Sequence, residues 1–91
     1  MSLWILVAVH VIATAAIVFA WSKVPKGGRV RYRLGLGLDG TTSAVTALVG
    51  YLALADLFLL GGLFVEDLRV AAIGGVVFTA FAGWTSMRNA A

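Results

Sequence analysis

The chain has 91 residues, is 62% hydrophobic and has a mean hydropathy of +1.02. A small soluble domain must keep a polar shell, so this composition excludes one and points to a single compact membrane domain. Cysteine is absent, which excludes a disulfide framework and a thiolate metal site, and the net charge of +3 conceals a segregation along the chain.

The first apolar run, residues 2–21, carries no charge and is interrupted only by His10 and Thr14. At about 1.5 Å of rise per residue, about 20 residues suffice to cross a bilayer core of about 30 Å. A cleaved signal peptide is the rival. No Lys or Arg precedes the run, however, and the small-x-small triplet Ala13-Thr14-Ala15 falls inside it. A retained helix is expected, with Trp4 and Trp21 near its ends at headgroup level.

Residues 22–41 form a long connection. Pro25 and Gly27-Gly28 stop the helix. Lys23, Lys26, Arg29, Arg31 and Arg33 then place five of the 7 basic residues in one acid-free segment. Beside a span, such a run fixes orientation and touches anionic lipid headgroups, so nucleic acid is not expected as a partner. Gly35, Gly37 and Gly40 match the dinucleotide pattern GxGxxG, but no βαβ unit can surround them. A flexible loop or short interfacial segment is expected instead. Asp39, Thr41, Thr42 and Ser43 offer N-cap oxygens to the next helix.

The second span covers residues 42–65, with Gly61-Gly62 loosening its last turn. Residues 66–69 make a tight turn in which Glu66 and Asp67 sit beside Arg69. A third span follows over residues 68–86, with Trp84 at its far interface and Arg88 in the tail. The charges place the basic connection in the cytoplasm and the acidic turn outside. The expected fold is an all-α, multi-pass bundle of three transmembrane helices, N-out and C-in, in a bacterial cytoplasmic membrane.

Each span carries a polar group at a similar depth. Counted from the outer boundary at helical rise, His10 lies about 12 Å in, Asp56 about 13 Å and Thr79 about 15 Å. A lone ionised carboxylate in hydrocarbon protonates rather than staying charged, so Asp56 needs a partner, a proton or water. With antiparallel neighbours His10 can meet Asp56, and Thr79 can donate to either. This layer is open to two readings. One is a proton-sensitive element or the lining of a water-filled path; the other is a structural hydrogen bond with Asp56 neutral.

On the third span Ala71, Gly75, Thr79 and Gly83 recur every four residues, flanked by Ala72 and Ala82. Ser43 with Ala47, and Thr46 with Gly50, repeat the spacing on the second span, and Ala13, Ala16 and Ala20 do so loosely on the first. Small side chains let helix backbones approach closely, either within one chain or between chains. So few residues enclose nothing alone, so self-association through these faces is favoured.

A single histidine excludes a two-His metal site, and no nucleophile–base–orienter set can be assembled. Neither catalysis nor a cofactor is expected.

Three spans at 2–21, 42–65 and 68–86 in an N-out, C-in arrangement resemble the class I holins of bacteriophages. That resemblance is one of whole-chain topology. It implies oligomerisation through the stripe on the third span, permeabilisation of the host membrane before lysis, and a layer of His10, Asp56 and Thr79 that faces water in the lesion. A non-catalytic accessory subunit docked on another membrane protein, or a phage superinfection-exclusion protein, makes similar sequence demands.

Overall fold

A computed structural model describes residues 2–33 and 39–88. The three expected helices are present as α1 (Ser2–Ser22), α2 (Ala44–Phe64) and α3 (Arg69–Arg88), all long and apolar enough to cross a membrane. Each packs against both of the others, with α2 antiparallel to α1 and α3. A one-turn 3₁₀ helix, Glu66–Leu68, joins α2 to α3. At this corner Arg69 Nε donates to the carbonyl of Gly62 at 3.0 Å, placing a cation on the C-terminal end of α2, where Val65 N–H also donates to the Gly61 carbonyl.

Where it is described, the first connection is strand rather than a flexible loop, which departs from an all-α fold and leaves the interfacial-segment expectation standing. It contains a β-hairpin of β1 (Arg29–Arg33) and β2 (Asp39–Ser43), paired antiparallel from Arg29 opposite Ser43 to Arg33 opposite Asp39. The signal for it is the alternation in Arg-Val-Arg-Tyr-Arg, which puts Val30 and Tyr32 on one face and Arg29 and Arg31 on the other. Val30 is fully buried, in a cluster with Ile17, Ala20, Ala44, Ala47, Tyr51 and Met87. The hairpin is thus held by the core at one end of the bundle. Tyr32 lies across from Gly40 and its ring covers it; a Cβ on Gly40 would stand 3.0 Å from the Tyr32 hydroxyl. Of the GxGxxG glycines only Gly40 is described, as a residue of β2; Gly35 and Gly37 lie outside the described residues.

The turn into the hairpin follows from Pro25 and Gly27. Gly28 N–H donates to the Pro25 carbonyl at 2.8 Å, and Gly27 takes φ +77°, the conformation required at the third position of a type II turn. Of the four candidate caps, Ser43 begins α2: its Oγ accepts from Thr46 N–H at 3.2 Å, whereas Asp39, Thr41 and Thr42 belong to β2.

The interior between the helices combines Leu6, Ile17, Tyr51, Val76 and Met87 with many small groups, among them Ala13, Ala20, Ala47, Ala55, Ala72 and Thr79. Large apolar side chains point outward, including Trp4 at 74% exposure, Phe64 at 83%, Val70 at 77% and Phe81 at 71%. In water such a surface is a liability. In lipid it costs nothing, and the small groups inside let the backbones close on one another.

Candidate functional site

His10 and Asp56 meet. Nε2 of His10 and Oδ1 of Asp56 are 2.7 Å apart, a charge-assisted hydrogen bond when both groups are ionised. Register explains the meeting: α1 and α2 run antiparallel, and both residues sit about the same distance from the acidic end of their helices. The two side chains differ sharply in surroundings. That of His10 is 15% exposed, and that of Asp56 is 62% exposed. The carboxylate therefore sits on the outer surface of the bundle, near the middle of an apolar helix.

Thr79 does not complete a triad. It is fully buried, but its hydroxyl donates to the carbonyl of Gly75 on its own helix at 2.8 Å. Back-bonding of this kind satisfies a threonine without an interhelical partner. One turn beyond His10 on α1, the hydroxyl of Thr14 is buried with no partner among the described residues. The polar layer is thus a surface pair with an unpartnered hydroxyl one turn below it.

A second interhelical polar contact lies closer to the hairpin. The hydroxyls of Tyr51 on α2 and Ser86 on α3 are 2.6 Å apart in a buried setting. Its partners are 35 positions apart and share no pattern that a sequence reading would link.

Most small residues of the third span serve the chain itself. A Cβ on Gly75 would collide with the Phe58 ring of α2. One on Gly83 would come within 3.2 Å of Ile17 and 3.3 Å of Tyr51. Ala47 is buried as well, whereas Ala71 and Gly50 face outward. Gly50 has open space beside it and shares an outward stripe of α2 with Thr46 and Ala53, spaced four and three residues apart; Asp56 flanks that stripe. An open small-residue face therefore lies on α2, next to the exposed carboxylate. Between it and Tyr32 of the hairpin runs a groove of about 470 Å³.

The charges are segregated by end. Lys23, Lys26, Arg29 and Arg31 are exposed around the hairpin, Arg33 ends β1, and Arg88 closes α3 at the same end. Arg29 and Arg31 alternate with Val30 and Tyr32, so they share the hairpin face turned away from the core. Glu66 and Asp67 are exposed at the opposite end. No group of three potential metal-ligating side chains occurs among the described residues. No family model, curated protein or solved structure matched the chain.

Proposed function

We propose that this chain is a self-associating membrane protein that permeabilises a bacterial cytoplasmic membrane, in the manner of the class I holins. The observation that carries the reading is the placement of Asp56, 62% exposed midway along an apolar helix. A carboxylate facing hydrocarbon is strongly disfavoured, and His10 engages only one of its oxygens among the described residues. Burial against a second chain, or contact with water in a lesion, relieves that cost. An oligomer that opens a path supplies both. The face that associates is the stripe of Thr46, Gly50 and Ala53 beside Asp56, since Gly75 and Gly83 are occupied by the chain's own side chains.

The orientation is N-out and C-in. The basic hairpin lies on the cytoplasmic leaflet among anionic headgroups, and Glu66 and Asp67 are translocated.

A second reading, a non-catalytic accessory subunit of a larger membrane complex, is favoured by the internal use of Gly75, Thr79 and Gly83. There the Asp56 face docks on a partner with a matching donor. Inducing the gene in bacteria while following a potential-sensitive dye separates the two. Abrupt depolarisation with growth arrest is expected. Accumulation in the membrane with the potential intact overturns permeabilisation and leaves the accessory role.

A further inference from the structure

We infer that the cleft between the C-terminal turns of α1 and α3 is a headgroup site for an anionic phospholipid. The cleft holds about 490 Å³, a ligand-sized volume. Its lining combines two cations with an aromatic wall. Lys23 and Arg88 are exposed at its mouth, and neither has a carboxylate partner among the described residues. Phe19 and Trp84 stack across α1 and α3 with ring centroids 6.1 Å apart and planes 11° apart. Lys23 Nζ stands 5.1 Å over the Phe19 ring, which holds the ammonium at the cleft rather than leaving it free in solvent.

This combination selects a lipid over a free anion. A phosphodiester accepts from the ammonium and from the planar guanidinium. The aromatic wall lies at the depth where headgroup meets acyl chain. Below it, Phe19, Ile12 and Ile5 form one exposed apolar stripe along α1, each seven residues from the next, as a track for an acyl chain. Inorganic phosphate gains nothing from that track. A zwitterionic headgroup brings a cation towards Lys23 and Arg88 and loses the net attraction. The inference rests on the span assignment and not on permeabilisation, so depolarisation can fail while lipid selectivity stands.

The test uses the full chain purified in a neutral detergent and titrated with phosphatidylglycerol, phosphatidylcholine of the same acyl chains, or inorganic phosphate. Retained lipid is counted by native mass spectrometry. One saturable adduct with phosphatidylglycerol alone is expected. Lys23→Gln and Arg88→Gln should each weaken it about five-fold, the effect of about 1 kcal/mol per interfacial cation. Lys23→Arg should retain it, and Lys26→Gln, at a position that meets bulk headgroups outside the cleft, should change the saturable adduct by less than about two-fold. Equal retention of phosphatidylcholine, displacement by inorganic phosphate, or an equal loss in Lys26→Gln overturns the site.

Discussion

Tyr51 and Ser86 are joined hydroxyl to hydroxyl at 2.6 Å, fastening α2 to α3 beneath the hairpin, where both side chains are almost completely shielded. The same ring lies against Gly83, so Tyr51 contributes through its shape as well as its oxygen. The two contributions differ in size. Interhelical hydrogen bonds in membranes average about 0.6 kcal/mol, whereas removing a buried aromatic ring costs about 3–5 kcal/mol.

Tyr51→Phe should therefore lower bundle stability by less than about 1.7 kcal/mol, because a freed Ser86 can bond back to its own helix. Tyr51→Ala should cost several times as much. Thermal or denaturant unfolding in micelles gives both values. Equal losses would show that the hydroxyl, and not the ring, fastens the helices.

Gly75→Leu should disrupt folding of the single chain. The added side chain has no room beside Phe58, and overpacking costs about 1–3 kcal/mol or more. Gly74→Leu on the adjacent outward face, where nothing lies within 4 Å, should leave the unfolding midpoint nearly unchanged. Crosslinking and helix content measured together separate a folding defect from an association defect. A well-folded Gly75→Leu chain that loses only its oligomers would return the stripe to an intermolecular role.

Asp56→Asn keeps a hydrogen-bonding group opposite His10 and removes the charge. Folded content should change little, while the rate of depolarisation after induction should fall about ten-fold, the equivalent of about 1.4 kcal/mol. Dye kinetics in cells measure this directly. An Asn variant as active as the parent would make the pair a structural fastening.

The chain has no cysteine, so single substitutions report topology cleanly. With a membrane-impermeant maleimide, Glu66→Cys should label in intact cells and Arg31→Cys should label only after lysis. The reverse pattern would invert the bundle in the membrane.

The three helices and the meeting of His10 with Asp56 were legible in the sequence because each follows from counting. A run of about 20 apolar residues sets the span, and equal depth on antiparallel helices sets the contact. The hairpin was not. Asp-Gly-Thr-Thr-Ser includes poor strand formers, and it pairs because Val30 is buried under the helices, a tertiary effect that overrides local preference. The direction of the small-residue stripe was illegible for a different reason: four-residue spacing is the same whether the partner helix lies in this chain or another. Only Phe58 seated over Gly75 distinguishes them. Thr79 was legible as a buried polar residue, but its choice of acceptor was not, since a back-bond to Gly75 leaves no trace in the pattern.

The bulky exterior and the close glycine contacts inside together forecast how the protein should tolerate drift. At Gly62, where a single added methyl would sit 2.5 Å from Leu6 and 2.8 Å from Ala72, a saturation library should accept almost nothing. At Phe64, Val70 or Phe81, which touch little of the chain itself, it should accept any apolar replacement where the exterior meets fluid acyl chains. The smallest side chains are thus the irreplaceable ones, and the largest are interchangeable.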